Sequence, residues 1–452
     1  MNSSQILKRK EPKSSSRVIK GAINSFTNFE QYLRSNYIIP SLQTVFAGAN
    51  NSFVGLYNCF SKKGRLGDFM SRFDEIVYRN TPEDLKHAKI EGIDDLLPMW
   101  VADMDFKSPD EVIEALVEQA KRGVYGYSEA DESYNRALTG WYKRRYGWDV
   151  DPKTVLKMPG VVLGISDSIN ALTKENDSIL IFEPLYGPIG RAVKGSGRNL
   201  VVSDLVMKGS RYEIDFEDFE NKVRENDVKM LIFCNPHNPA GRVWTREELL
   251  KVGDICLKNH MLIVCDEIHA DFVYSGHKHI PIASLSEELK KITITCTSAT
   301  KSFNIAGIQA ANIVIADDSM RRAVDKYAFS TGAFGLNIMG LVATRAAYTY
   351  GDKWMDELVS YLEGNIELVK SRLAGTKLKV TDIEGTYLIW IDASALGMDD
   401  PSKFFLDNAH IKFSEGTFFS KKATQFMRMN IACPRSVVNE ALDRMLKLPE
   451  VR

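Results

Sequence analysis

The chain has 452 residues, 44% of them hydrophobic and 26% charged, with a formal net charge of −1. At roughly 150 residues per domain, this length calls for two or three compact units, and a near-neutral total removes the electrostatic motive for nucleic acid as a main partner. The charge is uneven: residues 1–69 hold ten Lys/Arg against three Asp/Glu.

Residues 1–20 are polar and basic, with Lys8-Arg9-Lys10 ahead of Ser14-Ser15-Ser16, and are expected to be disordered. Residues 21–69 mix apolar side chains with many Asn, Ser and Gly, and they predict no fold. Three readings of the extension stand side by side: an organelle-targeting presequence, a divergent extension, or sequence upstream of a start at Met70. It carries no helix-turn-helix pattern. No apolar stretch reaches the ~18–20 residues of a membrane span. The six cysteines show no CxxC spacing, and several lie in apolar runs. They read as buried, reduced side chains rather than disulfides or metal ligands. The expected location is therefore the cytoplasm, or an organelle matrix if the extension is a presequence.

From about residue 154, short runs rich in Ile and Val alternate with helical stretches. The runs fall at 178–182, 199–202, 229–233, 261–265, 291–296 and 311–315. Runs apolar on both faces and separated by helices predict a mostly parallel sheet between helical layers. One intervening helix is well marked: Thr245 and Glu248 form a capping box, and Leu249, Leu250, Ile255 and Leu257 supply an apolar face before Asn259. After Gly351, Trp354, Leu358, Leu362, Ile366 and Val369 predict a long helix that begins or links a second domain. The expected division is a large domain over 116–350 and a small domain from 70–115 with 351–452.

The unusual polar residues fall just past the predicted strands. EPLY (183–186) follows the first run, NPHNPAG (235–241) the third, DEIH (266–269) the fourth and TSATK (297–301) the fifth. Ligands in open α/β sheets bind outside the carboxyl ends of the strands, so four such segments can converge on one site. A desolvated lysine flanked by hydroxyls, here Lys301, suits a Schiff base with an aldehyde cofactor. Pyridoxal 5′-phosphate (PLP) needs such a lysine and an acid beside its pyridine nitrogen, for which Asp266 at an adjacent strand end is the candidate. Ser298 and Thr300 offer hydroxyls to a phosphate, and PGVV (159–162), ahead of a helical stretch, offers backbone N–H groups at a positive helix end. Tyr186 is placed to stack on the ring, and Asn238 to donate to its phenolic oxygen.

Beyond residue 70 the sequence resembles the fold-type I PLP enzymes of the aminotransferase superfamily, and within it the cystathionine β-lyase and cystalysin subgroup (the MalY/PatB type). The matching stretches are LPMWVADMDF (97–106), YGY (125–127), NPHNPAGR (235–242), DEIHAD (266–271), KSFNIAG (301–307) and RMNIACPR (428–435). The resemblance implies an α/β fold, with a large domain built on a mostly parallel sheet between helices and a smaller α+β domain. It implies that Lys301 carries PLP and shuttles the proton, and that Asp266 pairs with the pyridinium. Asn238 and His269 would lie by the ring oxygen and Tyr186 on the ring, with Val161, Val162, Ser298 and Thr300 around the phosphate. Arg428 would fork onto the substrate carboxylate, a task that suits guanidinium geometry. Tyr127 would reach the phosphate of a neighbouring subunit, which makes a homodimer part of the expectation.

The implied reaction is β-elimination. The substrate amine displaces Lys301, Lys301 removes the Cα proton, and a thiolate leaves Cβ, so that cystathionine or a cysteine S-conjugate ends as pyruvate, ammonia and a thiol. Transamination uses the same residues and is the close rival; a PLP-fold regulator or binding protein is the non-enzymatic one. The chain departs from the family twice. Gln309 stands where many aminotransferases carry a phosphate-binding arginine, and Ile189 where relatives often carry an aromatic residue. Simpler readings compete at some positions: His269 as a purely structural histidine, Tyr127 as core, Arg435 as an ion-pair residue. His277-Lys278-His279 reads as a turn rather than a metal site, and Gly195-Ser196-Gly197 as a turn rather than a dinucleotide loop.

Overall fold

The computed structural model describes residues 71–79, 81–333 and 335–452; the readings of residues 1–69 lie outside them. The unit spanning Arg72–Arg452 is built around an eight-stranded sheet. Its strands are β1 (Val155–Met158), β2 (Ser178–Glu183), β3 (Asn199–Lys208), β4 (Arg211–Ile214), β5 (Val228–Cys234), β6 (Leu262–Asp266), β7 (Thr293–Thr297) and β8 (Ala311–Ile315). Their order across the sheet is β1-β8-β7-β6-β5-β2-β3-β4. The five central strands, β7-β6-β5-β2-β3, run parallel, while β8, β1 and β4 join at the edges antiparallel.

All six predicted runs are strands of this sheet, within a few residues at their ends. Two strands were not foreseen. In β1, four residues long, Lys157 interrupts the apolar pattern, and β4 is recognisable only as the hairpin partner of β3. The central strands are apolar on both faces because each face has its own core. Ile179, Ile181, Met230, Ile232 and Val264 pack on one side against Ile165 and Ile169 of helix α1 (Val161–Leu172). The alternate residues Leu180, Phe182, Leu231, Phe233 and Ile263 pack on the other against Leu249, Val252 and Ile255 of helix α2 (Arg246–Lys258). This two-residue period is the pleat of a strand buried on both sides.

The start of α2 has the expected capping box: the Thr245 hydroxyl accepts from the Glu248 N–H at 3.2 Å, and the Glu248 carboxylate accepts from the Thr245 N–H at 2.8 Å. Helix α1 approaches the sheet closely at Gly164, where a Cβ would sit 2.4 Å from Cδ1 of Ile313. That contact fixes where the amino end of α1 lies.

Helix α3 (Asp352–Leu373) buries all five residues of its predicted stripe. It leads into a smaller antiparallel sheet of β9 (Lys379–Val380), β10 (Leu388–Asp392), β11 (Ser414–Glu415) and β12 (Phe426–Asn430), in the order β9-β10-β12-β11. Among the described residues, no helix is long and apolar enough to cross a membrane.

Candidate active site

In chain order β2 steps outward to β3, and the chain then returns to lay β5, β6 and β7 on the other side of β2. The direction of winding thus reverses between β2 and β5, and a crevice opens at the carboxyl ends of strands at such a point. A cavity of 1020 Å³ lies there, lined by Tyr186 after β2, Asn238 after β5, Asp266 and His269 at and after β6, and Thr300 and Lys301 after β7. Val161, Val162 and Leu163, the first turn of α1, close another side. No side chain caps that helix end, so its first N–H groups and the positive pole of the helix dipole face the cavity.

Burial dominates the electrostatics. It lowers the Lys301 ammonium to a pKa of about 8, with Arg428 pushing the same way and Asp103 and Asp266 opposing. Asp266 is raised to about 6, again mainly by burial, although it accepts the Ile268 N–H at 3.2 Å and feels Lys301. Burial, helped by Lys301 and Arg428, holds His269 down at about 3, so its imidazole is neutral. Its Nδ1 is buried without a hydrogen-bond partner, and its ring meets the edge or face of Tyr387 at 5.8 Å.

The opposite wall comes from the small sheet and from residues 100–103. Arg428 on β12 is 3% exposed and reduced by burial to a pKa of about 10. One of its terminal nitrogens donates to Asn238 Oδ1 at 3.0 Å; the other donates to the Trp100 carbonyl at 2.9 Å and Ser414 Oγ at 3.1 Å. Its Nε–H is left without a partner. The Phe419 ring lies 4.6 Å from the guanidinium carbon.

The Ala102 carbonyl accepts from both Lys301 Nζ and, at 3.0 Å, the Tyr387 hydroxyl. Asn430 donates to the carbonyls on either side, at Val101 and Asp103. Behind this strip stands a charge cluster. Arg79 pairs with Asp84, Asp103 and Asp105, each at 2.8 Å, and the buried Lys86 pairs with Asp105 at 2.9 Å and Asp103 at 3.6 Å. The short helix Ala299–Ser302, which carries Lys301, is held from below by Asp271. That carboxylate accepts from Ser302, from Tyr146 and, at 3.1 Å, from Trp141 Nε1.

Nine of the residues named from sequence therefore line one cavity: Lys301, Asp266, Asn238, Tyr186, His269, Val161, Val162, Thr300 and Arg428. Ser298 lies one layer behind it, bonded to the Ala310 carbonyl and the Thr300 hydroxyl. Tyr127 does not line the cavity; it is fully exposed, beside the exposed Val124 and Tyr125, and is not core. Gln309 lies on the cavity wall, whereas Ile189 is wholly buried in the core under the sheet. The sequence reading gave no role to Ala102, Asp103, Asp271, Ser414 or Tyr387. Three of these stand inside the quoted motifs, where a spacing argument could have singled them out. Ser414 and Tyr387 carry no local signal, because only the fold of the small sheet brings them here.

Residues 94–445 match the family model for aminotransferase class I and II. Cystathionine beta-lyase PatB of Bacillus subtilis (strain 168) is 39% identical over 364 residues, which cover 80% of this chain and 94% of that protein. Among solved structures, cystalysin from Treponema denticola, which contains a pyridoxal 5′-phosphate cofactor, superposes with a TM-score of 0.80 at 35% identity, over 83% of this chain and 98% of that one. The PLP-bound C–S lyase from Staphylococcus hominis gives 0.77 at 34% identity, over 82% of this chain and 96% of that one. The nine cavity residues named from sequence thus lie inside the matched region, and the chain belongs to the aminotransferase class I and II family.

Proposed function

We propose that the protein is a PLP-dependent carbon–sulfur β-lyase, cleaving cystathionine or related cysteine S-conjugates to pyruvate, ammonia and a thiol. The observation that carries the reading is one cavity holding a buried lysine with a pKa of about 8, a carboxyl at the neighbouring strand end and a buried arginine with an unpartnered N–H. The family resemblance to cystathionine β-lyases and C–S lyases points the same way.

The residues present fit PLP. The uncapped amino end of α1 suits a phosphate, with Val161, Val162 and the Thr300 hydroxyl beside it and Ser298 holding Thr300 in place. Asp266 suits a protonated ring nitrogen, Tyr186 the ring face, and Asn238 with the orphaned His269 Nδ1 the polar edge. Lys301 would hold the cofactor through its amine. When bound, PLP supplies an electron sink that stabilises negative charge at the substrate Cα.

The protein's own groups do the rest. Arg428 meets the substrate α-carboxylate through its free Nε–H and the remaining N–H groups of the fork, while Asn238, Ser414 and the Trp100 carbonyl hold the fork still. Lys301, with a pKa of about 8, is about one-tenth neutral near pH 7, far more than an ordinary lysine, and can both take and return the Cα proton. The Ala102 carbonyl gives its amine a fixed resting place. The exposed Tyr127, Tyr125 and Val124 support the homodimer reading, in which Tyr127 completes the neighbouring phosphate site. The five described cysteines are buried and unpaired, which supports a reducing, cytoplasmic setting.

The test is to record the visible absorbance of the purified protein, add cystathionine alone and assay pyruvate. A Schiff-base band that is lost in Lys301→Ala, together with pyruvate release, is the expected result. A band without pyruvate, and amino transfer once a keto acid is supplied, would turn the assignment to an aminotransferase. No band even with added PLP would end the enzymatic reading and leave the regulator.

A further inference from the structure

The cavity rim holds a second cation that neither the fold nor the elimination chemistry requires. Lys412 ends the strand Ile411–Lys412, which pairs in parallel with Leu97–Pro98. Its ammonium stands 3.9 Å from the centre of the Trp100 ring and lines the cavity. It is half buried, and burial alone lowers its pKa. Among the described residues no carboxylate pairs with it. A partly desolvated ammonium resting on an aromatic face is stabilised, yet its N–H donors meet no acceptor among the described residues and stay available to a ligand.

Its relation to Arg428 gives it a direction. Lys412 and Ser414 are two residues apart on near-extended chain, a step of roughly 6.6 Å. Ser414 is the register partner of Arg428 and accepts from its guanidinium at 3.1 Å. Trp100 joins the two cations from the other side, its carbonyl accepting from Arg428 at 2.9 Å while its ring carries Lys412. The cavity therefore presents two cations on one rigid support, one deep and one at the rim. A single α-carboxylate on Arg428 leaves the second without a counter-charge. Glu415, three residues further along, faces the same rim with its carboxylate accepting from the Thr417 hydroxyl at 3.1 Å.

We infer that Lys412 binds a carboxylate on the departing, sulfur-bearing half of the substrate, so that the preferred substrates are cysteine thioethers whose leaving thiol is itself an acid. Glu415 extends this preference to an amino acid, because it offers a counter-charge to an ammonium beside that carboxylate. Lys412 is thus a specificity-determining residue: it touches the leaving half and takes no part in moving the Cα proton. The inference rests on the lyase reading and adds to it the residue that reads the leaving half.

The test compares kcat/KM of the holoenzyme for cystathionine, S-(2-carboxyethyl)cysteine and S-ethylcysteine, in the native protein and in Lys412→Met, which keeps the apolar stem on Trp100. Loss of a charge-assisted hydrogen bond is expected to lower the ratio of either acid to S-ethylcysteine about tenfold or more, mainly through KM. Lys412→Glu should lower it further and favour S-(2-aminoethyl)cysteine. An unchanged ratio in both variants, or an equal fall for all conjugates, would overturn the proposal. If the native protein releases no pyruvate from any conjugate, the lyase reading fails by itself. Calorimetric titration of Lys301→Ala protein with cystathionine and S-ethylcysteine, with and without Lys412→Met, then decides the role of Lys412: a selective loss of cystathionine affinity supports it, and no selective loss removes it.

Discussion

The two walls of the cavity are built in opposite ways. One wall is the ends of four neighbouring parallel strands, each delivering its polar residues within a few positions of the last strand residue. The other is assembled from remote pieces: Lys301 reaches a carbonyl 199 residues away, Ser414 one 314 residues away, and Arg428 one 328 residues away. The strand-end wall inherits its geometry from the backbone ladder. The remote wall depends on specific hydrogen bonds and ion pairs to hold its parts together. Chemistry common to a family sits naturally on the first, and choice among substrates on the second.

If that division holds, damage to the two walls should look different. Lys301→Ala should remove the visible band and cut pyruvate release by at least about 10²–10⁴-fold, the contribution of a positioned proton-transfer group, while circular dichroism and melting stay close to native. Next in size is a pH effect. The Lys301 amine ionises near pH 8 rather than 10.5. A lowered pKa means that the neutral amine accumulates as pH rises through 8. Capture of added pyridoxal by the cofactor-free protein should therefore rise with a midpoint near 8 and level off above it; a midpoint near 10 would show that burial does not control this lysine.

Substitutions in the remote wall should act on stability or KM. Lys86→Met leaves Arg79 as the main cation beside Asp103 and Asp105 and should cost about 2 kcal/mol in urea unfolding, the worth of a hydrogen bond to a charged group, with loss of Lys301 positioning visible as a shifted pH profile. Arg428→Lys removes the fork and should raise KM roughly 10–100-fold with a smaller change in kcat, the worth of a charge-assisted pair. The smallest expected effect is at Thr245→Ala, far from both walls: about 1 kcal/mol of stability from the lost cap and normal KM. A large KM change there would blur the division.

The same contrast explains what could be read from the sequence. Burial on both faces forces β5 to β8 to be continuous apolar runs, so their positions and the motifs after them were legible. The stripe of α3 and the capping box of α2 were legible for the same reason, since local spacing reports a packed face. Asp271 was visible as a motif letter, but its three donors come from Trp141, Tyr146 and Ser302, and no local rule predicts that meeting. Tyr387 and Ser414 left no trace at all, because their contacts exist only once β10 and β11 are folded beside β12. The antiparallel edges were missed because β1 and β4 are only four residues long.

The cluster around Arg79 and Lys86 also sets an upper limit on how much of the amino-terminal sequence the catalytic unit can shed. Both cations precede the strip they support, and the nearer of them, Lys86, lies sixteen positions ahead of Ala102. A polypeptide initiated at Met70 would carry the pair, and with it the counter-charges beside Asp103 and Asp105. One initiated past Lys86 would bring both aspartates into place without their two principal cations and would leave the carbonyl that anchors Lys301 on a loosened segment. Past that point the loss should fall on catalysis and folding together.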